Sequence, residues 1–363
     1  MKNIYTFALL LVISLFLGLK AANADEIAFE KGTFNEILKK AKEQNKIVMI
    51  DFITDWCIWC KHLDMRVYSN KAVVKYAEKH QINWKTDAEK EGKDLAKKYG
   101  VNSYPTLLFV DADGNEIDKI IGFYPAPDFL ENIKKINERK SSLAYLQSNY
   151  NNNKTDLKAN LDLANRLIAE GKADDAKKYL NYIIQTDVSN SQGYTDDAEL
   201  LIAMMEVKDK TSEAYIKDVN ILLEKYPKTN LSKDVKLFLS DKYTESKNDE
   251  MALLTLKGLY KKFPKDDMVK YYFGQYYLSK ARKINSDTTS TEENYKLAVR
   301  DAKKSIPYFK GGIFEASAEN VLADLYFKLG DSKKAKKSIN RALELWSDNK
   351  TYNKTKDKIY GTK

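Results

Sequence analysis

The rhythm of apolar positions changes along this chain, and each rhythm predicts an element. Residues 4–19 are almost continuously apolar behind Lys2, and the run ends at Ala22-Asn23-Ala24 before Asp25 and Glu26, the layout of a secretory signal peptide with a small-residue cleavage site. At 1.5 Å per residue this run spans about 24 Å, short of a hydrocarbon core of about 30 Å, so cleavage before Asp25 is expected rather than a retained anchor. Thr33-Phe34-Asn35-Glu36 is a capping box, and Phe34, Ile37, Leu38 and Ala41 follow at helical spacing, predicting a helix from about Thr33 to Gln44. Lys46 to Ile53 is a nearly unbroken apolar run, as for a strand buried on both faces between parallel neighbours, and Asp51 is its single acid. A helix is expected to about Val67, then a second one capped by Ser69 and reaching about His80. A short strand over Ile82 to Lys85, a polar helix over Glu89 to Tyr99 and a strand ending at Val110 follow. Asp113-Gly114 makes a hairpin to a strand over Glu116 to Ile121. Pro127 suits the start of a last helix with Phe129, Leu130, Ile133 and Ile136 on one face. A sheet covered by helices, an α/β sandwich, is the architecture this order predicts.

Beyond that point only the helical rhythm remains. Ala164-x6-Gly171-x4-Ala176 recurs with the same spacing as Ala323-x6-Gly330-x4-Ala335, each with an apolar residue, Leu167 or Tyr326, four before its glycine. Small residues at these positions let two antiparallel helices approach closely. Tyr243, Ala252 and Pro264 repeat the rest of the pattern, and Pro227, Pro264 and Pro307 are expected to end helices. Lys283 to Glu293 reads as a loop lengthening one unit. The expected layout is a signal peptide over 1–24, an α/β domain over 25–139, a linker or loosely folded helix end rich in Ser, Asn and Gln over 140–154, helical repeats over 155–349 and a polar basic tail over 350–363.

Composition narrows the class. At 31% charged and 12% aromatic residues the chain is globular rather than disordered. Its net charge of +9 is unevenly held: residues 25–138 carry 18 Lys plus Arg against 20 Asp plus Glu, and the part after Glu138 carries 41 against 32. The lysines are spread over helical faces instead of forming a block interleaved with aromatics, so no nucleic-acid partner is expected. An acidic partner or the anionic face of a membrane stays open.

The chain has two cysteines, Cys57 and Cys60, in the run Trp56-Cys57-Ile58-Trp59-Cys60-Lys61. Two thiols at i and i+3 at the mouth of a helix can close a small ring reversibly, and the unpaired N–H groups there favour the thiolate of the first. Cys57 is therefore read as the attacking thiol and Cys60 as the resolving one. A three-residue staple would be an odd use of the only pair in an exported chain. Zinc needs about four ligands, and the two cysteines with His62 and His80 lack the spacing, so neither a metal nor another cofactor is expected.

Asp51-Phe52, Trp56-Cys57-x-x-Cys60-Lys61, Tyr104-Pro105-Thr106 after a helix and a hairpin ending in Gly122 together resemble the thioredoxin superfamily over about Ile27 to Asn137. The insertion between His62 and His80 is most similar to the thioredoxin-like domains of bacterial periplasmic thiol:disulfide interchange proteins. The later pattern resembles tetratricopeptide repeats. The fold class implied is an α/β thioredoxin-like sandwich followed by an all-α tetratricopeptide-like helical repeat array. The resemblance implies a cis Pro105 facing the cysteines, a Tyr104 backbone free to pair with an extended substrate, and a buried acid at Asp51. Desolvation there should raise the Asp51 pKa and let it exchange the Cys60 proton, the alternative being a hydrogen-bonded structural Asp. The family's lysine partner for that acid would fall near Asn83, with Lys85 two residues later. Trp56 is expected to shield Cys57 and an exposed Trp59 to meet substrates, while Lys61 and His62 are read as surface residues. Ile58 and Trp59 bring no positive charge to Cys57, so reductase or isomerase behaviour is expected over strong oxidation. The implied partners are disulfide or thiol protein clients, a membrane thiol:disulfide electron-transfer partner and a protein docked on the repeats. The competing reading is a repeat-based scaffold with a redox-sensing or inactive thioredoxin-like adaptor.

Overall fold

The computed structural model describes residues 26–206 and 210–361, so the expected signal peptide and its cleavage point lie outside the described residues. The chain divides into two compact units, one up to Arg139 and one from Lys140.

In the first unit Thr33 and Glu36 close their capping box, the Thr33 N–H donating to Glu36 Oε2 at 2.7 Å, and start helix α1, Phe34–Gln44. Strand β1, Ile47–Ile53, leads through a tight turn into α2, Ile58–Arg66, and then α3, Lys71–His80. Asn70, not Ser69, caps α3, accepting from the Ala72 and Val73 N–H groups. The Ser69 hydroxyl is instead drawn back to the Met65 carbonyl at 2.8 Å. Strand β2 is Gln81–Asp87 and α4 is Lys93–Lys98. The strand exceeds expectation because its polar positions find partners: Gln81 donates to Asn83 at 2.7 Å, and the Asp87 N–H to Glu91 at 2.8 Å. That last bond holds residues 88–92 in a turn and shortens α4. Strands β3, Thr106–Val110, and β4, Glu116–Ile121, form the hairpin, and α5, Ala126–Asn137, closes the unit.

The sheet order is β2-β1-β3-β4. Strand β1 pairs parallel with β2 but antiparallel with β3, which corrects the expectation of two parallel neighbours. Either direction buries a central strand on both faces, so an apolar run cannot reveal it. Alternation along β1 sends Val48, Ile50 and Phe52 to a core with Ile37, Leu108 and Val110. Met49 points to the opposite core with Leu63, Val67, Tyr68, Val73, Phe129 and Ile133. Asp51 has the parity of Met49 and so faces the α2 side of the sheet.

The second unit is a tetratricopeptide-like array of helical hairpins. Its helices are α6 (Leu143–Asn152), α7 (Leu157–Ala169), α8 (Ala173–Thr186), α9 (Thr195–Met205), α10 (Ser212–Lys225), α11 (Ser232–Glu245), α12 (Asp249–Lys262), α13 (Asp267–Ser286), α14 (Glu292–Phe309), α15 (Ile313–Lys328), α16 (Ser332–Leu345) and α17 (Lys350–Tyr360). The two strongest sequence matches share one turn. Gly171 and Gly330 sit at φ 76° and 75°, and the N–H of the next residue reaches back to the Leu167 or Tyr326 carbonyl at 2.8 and 2.9 Å. This is a glycine-terminated helix end. The middle unit builds the same turn on Lys247, at φ 58°, with the Asn248 N–H on the Tyr243 carbonyl at 2.8 Å.

Three expectations are corrected here, and one alternative is decided. Of the two readings of 140–154, a linker or a helix end, the structure has a helix, α6, whose Leu143, Leu146 and Tyr150 pack on the core of α7 and α8. The segment read as a polar tail contains α17, which buries Tyr352 and Ile359. The loop expected over Lys283 to Glu293 shrinks to 287–291, because α13 runs to Ser286 and α14 starts at Glu292. Pro307 lies inside α14, in its last turn, whereas Pro227 and Pro264 follow α10 and α12 as expected. Helices α13 and α14 touch so closely at Gly274 that a Cβ there would lie 2.3 Å from the Phe309 ring. No described helix is long and apolar enough to cross a membrane.

Candidate active site

The cysteine site forms where β1 ends and α2 begins. The Cys57 N–H donates to the Thr54 carbonyl at 3.1 Å, turning the chain so that Cys57 becomes the N-cap of α2. Its Sγ accepts the Cys60 N–H at 3.0 Å. A sulfur in the N-cap position receives a donor that the helix cannot otherwise satisfy, and the same contact would stabilise a thiolate after reduction. Cys57 and Cys60 are joined by a disulfide, each 3% exposed, and the described residues contain no free cysteine.

Around the pair, two aromatic clusters divide the surface. Trp56 is 62% exposed; its indole N–H donates to the Glu89 carboxylate at 3.0 Å and its ring meets Tyr104 edge-on at 5.8 Å. Trp59 is half-buried, packed on Phe123 at 5.3 Å and on His62 at 5.6 Å. The exposed tryptophan is thus Trp56, not Trp59, and His62 is buried rather than a surface residue. Both changes have one cause: Phe123, just past β4, draws Trp59 and His62 under it. The Tyr104–Pro105 bond is cis, and the Pro105 carbonyl accepts the Gly122 N–H at 2.9 Å, tying this loop to the end of β4.

On the strand that leads into the pair, facing the α2 side of the sheet, lies Asp51, fully buried. In the parallel ladder Asp51 stands opposite Lys85, whose ammonium lies 3.4 Å from Asp51 Oδ2. Lys85 also binds Asp64 of α2, one helical turn beyond Cys60. Burial pushes the Asp51 carboxyl up to about 6, and the Asp64 charge adds to the rise; the Lys85 ammonium and the Tyr68 hydroxyl pull it back. Neither of those donors makes a well-formed hydrogen bond with the carboxylate. Burial works against the Lys85 charge, but Asp51 and Asp64 outweigh it, so Lys85 stays protonated with a raised pKa. Lys85, and not the position of Asn83, therefore supplies the lysine. Asn83 is taken up by Gln81 on the same strand. Asp64 is a member of the site that sequence reasoning missed, although its position four after Cys60 was a usable signal.

Comparison with known proteins agrees with this geometry. Residues 34–137 match the thioredoxin-like domain family. A thioredoxin H-type from Oryza sativa subsp. indica is 37% identical over 94 residues, which cover 25% of this chain and 70% of that protein. Thiol:disulfide interchange protein DsbD from Colwellia psychrerythraea is 31% identical over 123 residues, covering 31% of this chain and only 20% of that protein. A solution structure of a candidate disulphide-isomerase from Bacteroides thetaiotaomicron is 41% identical, covers 32% of this chain and 96% of that one, and has a TM-score of 0.30. The chain belongs to the thioredoxin-like disulfide oxidoreductase family through its first unit.

Proposed function

We propose that this chain is an exported thiol:disulfide oxidoreductase that reduces or isomerises protein disulfides, with its helical unit docking clients or partners. The observation that carries the reading is the Cys57–Cys60 disulfide seated at a helix N-terminus, with a buried, poorly hydrogen-bonded carboxyl, Asp51, on the strand that leads into it. In the reduced pair the Cys57 thiolate attacks one sulfur of a client disulfide. A Cys57–client bond forms, the client S–S bond breaks, and one client thiolate leaves and takes a proton. The ionised Asp51 then accepts the Cys60 proton, through a water, and the Cys60 thiolate attacks Cys57 Sγ. The mixed disulfide breaks, the second client thiolate leaves, and the Cys57–Cys60 bond closes. Two electrons have passed to the client. Tyr104, Pro105 and Trp56 are the groups assigned to hold its extended segment, with Trp59 supporting them from below.

Reopening the disulfide needs a dithiol donor, assigned here to a membrane thiol:disulfide electron-transfer partner. Relatives named as interchange proteins favour an exported setting, as does the leader-like N-terminus. Ile58 and Trp59 place no cation against Cys57, which favours reductase or isomerase poise. The test is Cys60→Ala: mixed disulfides through Cys57 should accumulate on clients, and the wild-type pair should equilibrate with a thiol buffer at a reducing potential. No trapped adduct together with no turnover of a small disulfide would leave the scaffold reading standing instead.

A further inference from the structure

One helical hairpin departs from the small-residue spacing that closes the others. Ala164-x6-Gly171-x4-Ala176 is matched in register by Ala203-x6-Lys210-x4-Tyr215. A tyrosine thus stands where Ala176, Ala252 and Ala335 let their helices approach, and it is buried against Phe238 of α11 at 5.5 Å. Three residues separate α7 from α8, α11 from α12 and α15 from α16, whereas six separate α9, ending at Met205, from α10, starting at Ser212. Helices α9 and α10 consequently meet over much less of their length than the helices of those hairpins. Between them, and closed on a third side by Ile184 of α8, lies a hollow of about 320 Å³.

The two helices line the hollow with matching stripes. Glu199, Ile202, Ala203 and Glu206 follow at i, i+3, i+4 and i+7 along α9 and its cap, and Asp218, Ile221 and Leu222 at i, i+3 and i+4 along α10. Each stripe is an apolar pair beside acids. Ile221 is 52% exposed, so apolar surface is left in water that an apolar guest would cover. At roughly 30 Å³ per water the hollow has room for about ten, enough for one ring and a short chain but not for a stretch of polypeptide. Its rim is acidic although the unit as a whole is basic. Lys210 is shared between Glu206 at 2.9 Å and Asp218 at 2.8 Å, and Glu199 takes Lys225 at 2.9 Å. Three carboxylates therefore face two ammonium groups, which favours a cationic guest over an anionic one. Lys210 uses Glu206 Oε2 and Asp218 Oδ2, leaving Oε1 and Oδ1 as acceptors.

We propose that the hollow between α8, α9 and α10 binds a small apolar monocation, a primary amine carrying an aromatic or branched apolar body. The body covers Ile184, Ile202, Ala203 and Ile221, and the ammonium donates to the carboxylate oxygens of Glu206 and Asp218 that Lys210 does not use. This site goes beyond the thiol chemistry proposed above and does not depend on it.

The full chain, with its disulfide closed, is titrated with 2-phenylethylammonium, with 2-phenylethanol as the neutral match and with 3-phenylpropanoate as the anionic one. The readout is the methyl resonances of Ile202 and Ile221, assigned by their loss in Ile202→Val and Ile221→Val. The ammonium should shift both saturably, the alcohol should bind more weakly and the carboxylate should leave them in place. Ala203→Leu puts a side chain into the hollow without changing its charge and should weaken the ammonium by about tenfold or more. Asp218→Asn, on the solvent side of the rim, should weaken the ammonium by about threefold or more and leave the alcohol unchanged, which keeps the test open if Ala203→Leu fails to fold. Raising the salt concentration should weaken the ammonium and spare the alcohol. No saturable shift with the ammonium, equal or tighter binding of the alcohol or the carboxylate, or full affinity in Ala203→Leu would overturn the proposal. So would acetyl-Phe-Lys-amide saturating the two methyl groups where 2-phenylethylammonium does not, because the occupant would then be a peptide.

Discussion

Asp187 and Glu315 in the helical unit and Asp51 in the thioredoxin-like unit are all nearly inaccessible, yet they are held in opposite ways. Asp187 accepts from the Ser191 N–H and hydroxyl at 2.8 and 2.9 Å and from the Gln192 N–H at 3.1 Å. Glu315 accepts from Arg341 Nε at 2.8 Å and from the Gly311 N–H. Asp51 has an ammonium at 3.4 Å, shared with Asp64, and no well-formed hydrogen bond. The first two acids fasten loops, and their lone pairs are occupied. Asp51 fastens nothing, so its lone pairs remain available to a proton. An acid kept for structure and an acid kept for chemistry thus differ less in burial than in how completely they are satisfied.

The comparison breaks most visibly at Asp51→Asn. The folded carboxyl titrates at about 6 against 3.8 for the free group, so the folded state holds more protons between those values, and stability falls as pH rises through that window. Removing the charge should therefore stabilise the first unit by up to about 3 kcal/mol at pH 8, less the strain of a buried amide, and by nothing below about pH 4. Denaturant melts at both pH values read this out. The wild type should gain disulfide turnover as pH climbs through about 6, and the same variant should lose that rise. Asp187→Ala should do the reverse, destabilising the helical unit by about 2 kcal/mol because the Ser191 and Gln192 donors lose their acceptor. Thermal melts followed by circular dichroism would show it. Lys85→Met removes the charge that holds the Asp51 pKa down, so the turnover inflection should move to higher pH, and carboxyl NMR of Asp51 should follow it. The smallest effect is expected at Lys247→Gly, where a lysine occupies the left-handed position that glycine fills in the two matching turns. A gain of about 0.5–1 kcal/mol in denaturant unfolding would show that the middle repeat differs by this residue and not by its geometry.

Much of this was legible from residue order, and the exceptions share a cause. The cysteine pair, the β1 run and the capping box are local signals, and each leads to the element it predicts. Lys85 was harder to find because its pairing with Asp51 depends on the register of two strands separated by two helices. The burial of Trp59 is set by Phe123, more than sixty positions away. Helices α6 and α17 have few apolar residues, and they form because Leu143, Leu146, Tyr150, Tyr352 and Ile359 find a neighbouring helix to cover them. Local periodicity cannot anticipate a partner it does not contain.

The contact between Gly274 and Phe309 has a genealogical consequence. Because the ring lies where any β-carbon at 274 would go, position 274 cannot gain a side chain while Phe309 stays. Among descendants of this chain, an alanine or serine at 274 should be inherited together with a smaller residue at 309, and lineages that keep the phenylalanine should keep the glycine.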